Sequence, residues 1–392
     1  MSFLRAARAA LAGQSCLPRS LAAVIVIAVL AGLSLSCGSS SHSTSGPNHN
    51  AYVTLPARGS VLLLHISGAT GAITLGAETP QVLATTPTGI ALLPSKKFLY
   101  AVNSFANTIS IFKVASDGTL ALTGTPGPAY GSSPNAALID PSGKYLLVTN
   151  NLSNNVSVFS IDAGSGALSL VGSPVPANAN PAEILIVPSG KFVYVTNPGI
   201  GMVTAFTFSN GVLTEVKPGS PFFSGAGAFG LVVDGSEQFL YVANPAASNP
   251  PPFSSTTGNI SGFKIDPSTG YLTQIFGSPF TATNGKGPSA VTVDPTGKFV
   301  YATTPGSSFS IWCFTITSTN GQLVAVTNSP FSVTAGGLFA LIDPSGNRLY
   351  IGSQDANGIA GYTYDPSTGA PTAIAGSPFS TRIAPGKMVF SE

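Results

Sequence analysis

Charge is the scarcest commodity in this chain: 8% of its 392 residues are Asp, Glu, Lys or Arg, against about 25% in ordinary globular proteins. The 16 basic and 14 acidic residues give +2. Loss of an N-terminal segment holding Arg5, Arg8 and Arg19 would leave thirteen basic against fourteen acidic residues, or −1. A nucleic-acid partner needs a basic field to neutralise phosphates, so that class is excluded. Three His and three Cys are too few for a multi-His or Cys-cluster metal centre, and no metal or cofactor is expected. No Gly-rich loop follows a strand and opens a helix, so phosphate cradling has no local signal. Ser-His-Asp and Cys-His arrangements fail for want of a usable His. Hydrophobic residues, by contrast, make up 44%, enough for a large core and too many for a disordered chain.

One long apolar run is present, Leu21 to Leu35, preceded by Arg5, Arg8 and Arg19. It is shorter than the ~20 residues a membrane-spanning helix needs, and it fits the apolar stretch of a secretory signal. It ends Leu33-Ser34-Leu35-Ser36-Cys37-Gly38. That ending resembles a bacterial lipoprotein signal, in which the Cys becomes the lipidated first residue. Ser34 departs from the aliphatic residue usual there, and cleavage after Ser36 without lipid is the alternative. The chain then divides into a signal (1–36), a Ser/Gly tether (37–50) and a folded remainder (51–392). Export with an anchor in the cell envelope through lipid on Cys37 is the expectation, and by the same resemblance Gly38 favours an outer membrane. His42 and His49 read as solvated spacers. Cys313 is left as a buried thiol, so the lipidated mature chain has no intrachain disulfide.

Self-comparison organises the rest. Phe98-Leu-Tyr-Ala-Val-Asn103, Tyr145-Leu-Leu-Val-Thr-Asn150, Phe192-Val-Tyr-Val-Thr-Asn197 and Phe239-Leu-Tyr-Val-Ala-Asn244 are one element copied four times. Phe299–Thr304 and Arg348–Ser353 are weaker copies, and Tyr52-Val53-Thr54 begins a seventh. Positions 52, 100, 147, 194, 241, 301 and 350 are spaced 48, 47, 47, 47, 60 and 49 apart. Each unit holds four short β-type runs divided by turns such as Asp140-Pro-Ser-Gly-Lys144 and Asp266-Pro-Ser-Thr-Gly270. Pro suits the second turn position and the Asp carboxylate can accept backbone N–H groups. A period in the forties with four strands per unit predicts an all-β, seven-bladed propeller of four-stranded antiparallel blades. The first unit begins at its second strand and the chain ends on Pro385–Phe390, which matches the innermost strand of the others. The C-terminal strand is therefore predicted to complete the N-terminal blade and close the ring.

The Tyr-Val-Thr-Asn strand with its Asp-Pro-Ser-Gly-Lys turn resembles the YVTN-repeat, lactonase-like propellers over about 51–392. That family includes 6-phosphogluconolactonases and cycloisomerases of the propeller type. The resemblance implies lactone hydrolysis at channel-facing His, Arg and acidic side chains. No such residue carries over by motif: no channel strand has an Arg, and His65 is placed a strand away from the channel.

Aligned on their leading Pro, the innermost strands present Gly89, Ala136, Glu183, Gly230, Ala290, Phe339 and Lys387 at one position. Only Glu183 and Lys387 can titrate, on opposite sides of the channel mouth. They are the candidate catalytic pair, base and electrophile towards a lactone; otherwise they are an isolated polar pair. Most other charges fall in turns on the opposite face and read as structural. Asn- and Ser-rich loops mark the mouth face, where Asn150, Asp355, Lys286 and Arg382 are candidates for contact with a ligand or partner. The 60-residue spacing comes from an insertion at 245–259 on that face, a lid, a partner loop or a tolerated surface insertion. Recurrent Gly-Ser-Pro-Phe at 219–222, 277–280 and 376–379 suggests Phe wedged between blades, or else an aromatic collar. With so little channel chemistry, the expected role is a binding scaffold for a small molecule, envelope protein or glycan. A lactone hydrolase is the alternative, and a purely structural envelope protein the third.

Overall fold

The computed structural model describes residues 48–80, 86–245, 258–281, 287–305, 309–334, 336–337, 339–344 and 346–391. These residues form seven antiparallel sheets and one 3-10 turn at Pro56–Arg58. We number the blades by their innermost strands: Met388–Ser391 in blade 1, Pro87–Leu92 in 2, Pro134–Ile139 in 3, Ile184–Ile186 in 4, Leu231–Val233 in 5, Ala290–Val293 in 6 and Phe339–Ile342 in 7. The ring is closed as the sequence predicts: Met388–Ser391 pairs with the second strand of blade 1, His49–Leu55, over Val53↔Met388 to Asn50↔Ser391.

The repeated element forms each blade's second strand. In blades 2, 4 and 5 every residue of it is buried. A strand covered on both faces reads as a continuous apolar run rather than an alternation, which explains Phe-Val-Tyr-Val. Seven hydrophobic clusters fill the ring, each drawn from two successive blades. The Asp-Pro-Ser-Gly turn sets the start of the strand. Asp140 Oδ1 accepts the N–H groups of Lys144 and Tyr145 at 2.8 and 2.7 Å, and Asp234 does the same for Gln238 and Phe239.

One feature of the outer edge is absent from the four-run reading. In blade 4 the third strand, Met202–Ser209, pairs with Val212–Glu215 over one half and with Phe222–Phe223 over the other. The chain leaves the edge between them and returns after a Gly-Ser-Pro-Phe segment, which in blade 6 reads Asn328-Ser-Pro-Phe331. Its Ser hydroxyl accepts a third-strand N–H in four blades: Ser220 from Ala205, Ser278 from Gly262, Ser329 from Cys313 and Ser377 from Gly361. The motif is thus an edge splice. Its Phe rings pack against the inter-blade clusters.

The repeat Tyr carries the contact between blades. Tyr52, Tyr100, Tyr194, Tyr241, Tyr301 and Tyr350 donate to the carbonyls of Gly118, Gly166, Gly270, Gly321, Gly369 and Gly71, each in the turn before the outer strand of the next blade. Burial pushes these phenols up, Tyr52 to about 12, and keeps them donors at any physiological pH. Blade 3 has Leu147 instead, buried in the cluster it shares with blade 4, and the side chain beside that blade's shorter turn at Gly211 is Tyr145. Tyr241→Phe is expected to lower stability by about 1–2 kcal/mol, because the buried Gly321 carbonyl loses its donor. Urea denaturation checks this, with an unchanged midpoint as the contrary result. Burial likewise pushes the Cys313 thiol up to about 12, consistent with the inert buried thiol expected there.

Candidate active site at the channel mouth

The Thr of the repeat positions the channel residues. Thr149 Oγ1 accepts the N–H of Ala136, Thr196 Oγ1 that of Glu183 and Thr54 Oγ1 that of Lys387, at 2.9–3.1 Å. Inner strands crowd together here. A Cβ on Gly89 would lie 2.6 Å from Asn135 O, and one on Gly230 2.7 Å from Ser289 O, both in the following blade. Side chains at this position therefore aim at the next inner strand, and small residues dominate it. Of the three large exceptions, Phe339 packs into the cluster of blades 7 and 1, and the two charged ones are each followed around the ring by a glycine, Glu183 by Gly230 and Lys387 by Gly89. The missing Cβ leaves them room.

Glu183 and Lys387 come from blades 4 and 1, yet they meet. Lys387 Nζ lies 2.6 Å from Glu183 Oε1, with the Glu side chain 16% and the Lys side chain 28% exposed. The contact spans the channel. Oε1 is shielded from solvent and accepts no aligned hydrogen bond, so this is an ion contact rather than a saturated bridge. The ammonium also stands 5.7 Å from the centre of the Phe229 ring, a cation–π separation. The Phe339 ring is buried among the blade 7 and blade 1 side chains, against Gly352.

The pair borders a cavity of about 210 Å³ that includes all seven aligned positions, with Ser289 and Met388 among its other walls. Sites for drug-sized ligands run to ~300–1,000 Å³, so this one suits a monosaccharide-sized ring. Among the described residues, no three His, Cys, Asp or Glu side chains are grouped to hold a metal ion.

The chain matches the model of the lactonase, seven-bladed β-propeller family over residues 42–180 and 256–381. It belongs to that family. The lactonase-type propeller is also similar to a putative 6-phosphogluconolactonase from Bacteroides fragilis, at 20% identity and TM-score 0.74, covering 89% of this chain and 99% of that one. The periplasmic gluconolactonase of Pseudomonas aeruginosa is 18% identical, with TM-score 0.66 over 88% of this chain and 99% of its own. At these identities the likeness is one of fold. No curated protein sequence matches the chain.

The other candidates are not brought to the pair. Asn150 is fully buried, and its amide donates to Asn155 Oδ1 and Ser157 Oγ within its own blade; it pins the loop at the mouth and offers a ligand nothing. Asp355 and Arg382 are exposed on mouth-side loops and do not line the cavity. Lys286, Cys37 and most of the 245–259 insertion lie outside the described residues. The exposed turn carboxylates Asp117, Asp162, Asp266 and Asp365 accept hydrogen bonds from Ser or Thr in their own turns, which hold them below the usual carboxylate range.

His49 is a correction. It is no spacer: it opens a strand of blade 1 and its Nε2 lies 3.1 Å from Oδ2 of the buried Asp343 in blade 7. Arg348 stands 3.8 Å from the same oxygen and donates to Gly68 O. A larger cavity, about 790 Å³, opens beside His49 on the face opposite the mouth. Blade 1 alone has no turn joining its inner and second strands, since these are the two ends of the ring, and the cavity marks the space such a turn fills elsewhere. The carboxylate on its wall is Asp343 of blade 7, and it holds His49 of blade 1 across the seam.

Proposed function

We propose that this propeller hydrolyses a small, uncharged lactone at the channel mouth. The carrying observation is the Glu183–Lys387 contact across a ring-sized cavity. A lactone held in the cavity beside the pair turns its carbonyl to the Lys387 ammonium, which stabilises the oxyanion as it forms. The Glu183 carboxylate takes a proton from the attacking water. The acyl C–O bond of the ring then breaks, and the proton passes to the leaving alkoxide, giving the hydroxy acid with water consumed. Family membership favours this over the scaffold role that the sparse channel chemistry suggests by itself.

The charge of the site selects the substrate. The described walls hold one cation, Lys387, and Glu183 already balances it. A phosphate monoester, carrying about −1.5 to −2 at pH 7, would enter with no second cation to meet it, a costly burial. A neutral aldonolactone is therefore expected to exceed its 6-phosphorylated form at least 10-fold in kcat/KM. Parallel pH-stat assays test this, and preference for the phosphorylated form would reverse the assignment. With the export signal read in residues 1–36, the reaction takes place outside the cytoplasm, on a propeller tethered through lipid on Cys37.

A further inference from the structure

A second surface lies on the mouth face of blades 2 and 3, away from the catalytic pair. Phe105 is 77%, Leu152 68% and Tyr130 53% exposed. Phe105 and Leu152 hold the same place in successive repeats, in the loops joining second to third strands; Gly199 and Asp355 stand there in blades 4 and 7. The three apolar side chains ride on loops stitched together. Ser133 N–H donates to Asn107 Oδ1, Ala129 N–H to Asn107 O, Ser132 N–H to Ser153 Oγ and Leu152 N–H to Ser132 O.

Tyr130 sits at φ 56°, left-handed backbone that a bulky side chain disfavours. At the matching place in the next repeat stands Asn178, φ 60°, a residue that tolerates this region. The ring packs against Phe159, centroids 6.0 Å apart, and is still 53% exposed; a strained backbone that keeps half of an aromatic ring in solvent points to use of that ring. Around it the chemistry is neutral and polar. Residues 103–112, 118–139 and 145–161 contain no charged side chain. Asn107 and Asn154 are exposed, and their oxygens accept the N–H groups of Ser133 and Asn180, leaving the amide nitrogens to donate outward.

We propose that Phe105, Tyr130 and Leu152 form a stacking platform for a neutral glycan chain. Sugar C–H faces lie on the rings, and hydroxyl oxygens accept from the Asn107 and Asn154 amides. A charge-free platform matches a neutral polyol, whereas an anionic lipid surface would call for Lys or Arg, of which these loops have none.

Titration calorimetry of the full chain in mild detergent, with cellohexaose, maltohexaose and chitohexaose as probes, tests the proposal. At least one should bind, and Tyr130→Asn and Phe105→Ala should each weaken it 10-fold or more. Tyr130→Asn relieves backbone strain and gives up the Phe159 ring contact, so circular dichroism first establishes that the variant is folded; lost binding by the folded variant then reports the ring itself. Lactone turnover should be unchanged in both variants. No heat with any of the three glycans, or equal binding by the variants, overturns the platform; so does preferential binding to phosphatidylglycerol vesicles.

Discussion

Deleting residues 386–391 is expected to abolish cooperative folding of the propeller. The segment supplies the inner strand of blade 1, where Thr54 N–H donates to Lys387 O at 2.9 Å and Gly386 N–H to Thr54 O at 2.7 Å. It also brings Met388 into the cluster that joins blades 7 and 1. Without it the strand His49–Leu55 keeps an unpaired edge, open to pairing with other chains. Long-range closure is the last contact a ring can make, and losing it removes interactions on both sides of the seam. The expected loss is on the order of 5 kcal/mol or more, comparable with the whole stability of a typical domain. Gly386→Val is expected to act in the same direction and less severely, because its Cβ would lie 2.3 Å from Thr54 Oγ1. Denaturant titrations followed by circular dichroism read both. A truncated chain with the wild-type midpoint would show that closure does not carry the fold.

Glu183→Gln is expected to reduce kcat/KM for a neutral lactone at least 100-fold, within the ~10²–10⁴ range of a general base. That corresponds to about 2.7 kcal/mol of lost transition-state stabilisation. The amide keeps the size of the side chain but takes no proton from water. Lys387→Met should fall by a similar factor, through loss of oxyanion stabilisation. The double variant should be little worse than either, because residues acting as a unit are not additive. A merely structural ion pair predicts otherwise. Glu183 is 16% and Lys387 28% exposed, so removing one partner of a merely structural pair costs stability first, on the order of 3 kcal/mol, and turnover would follow folding. A large loss of rate in a variant that is still folded at the assay temperature distinguishes the two.

The repeat carried most of the architecture in plain sight. Tyr52, Tyr100 and their successors recur because each must reach one turn glycine of the next blade, so spacing alone reveals the ring and the phase of its closure. The site was legible only in part. Alignment on the leading Pro picks out Glu183 and Lys387 as the titratable channel residues. Their contact was not legible, because it depends on how narrow the ring is, which the inner-strand glycines set through packing. His49 was misread for a related reason. Its partner Asp343 is nearly 300 residues away and adjoins it only once the ring is shut. Asn150 reads as solvent-facing because it stands in an Asn-rich stretch, whereas the strand end it occupies is buried and its amide is held by Asn155 and Ser157 of its own blade. The aromatic platform gave no periodic signal, since Phe105 and Leu152 depart from the repeat rather than follow it.

The most direct test of the central claim is acid release from a neutral six-membered aldonolactone by the wild-type protein and Glu183→Gln, assayed side by side in a pH-stat with the spontaneous rate subtracted. The account predicts clear enzymatic turnover by the wild type and at most one-hundredth of it by an equally folded Glu183→Gln. Equal rates for the two proteins, or no acceleration by either, would contradict it.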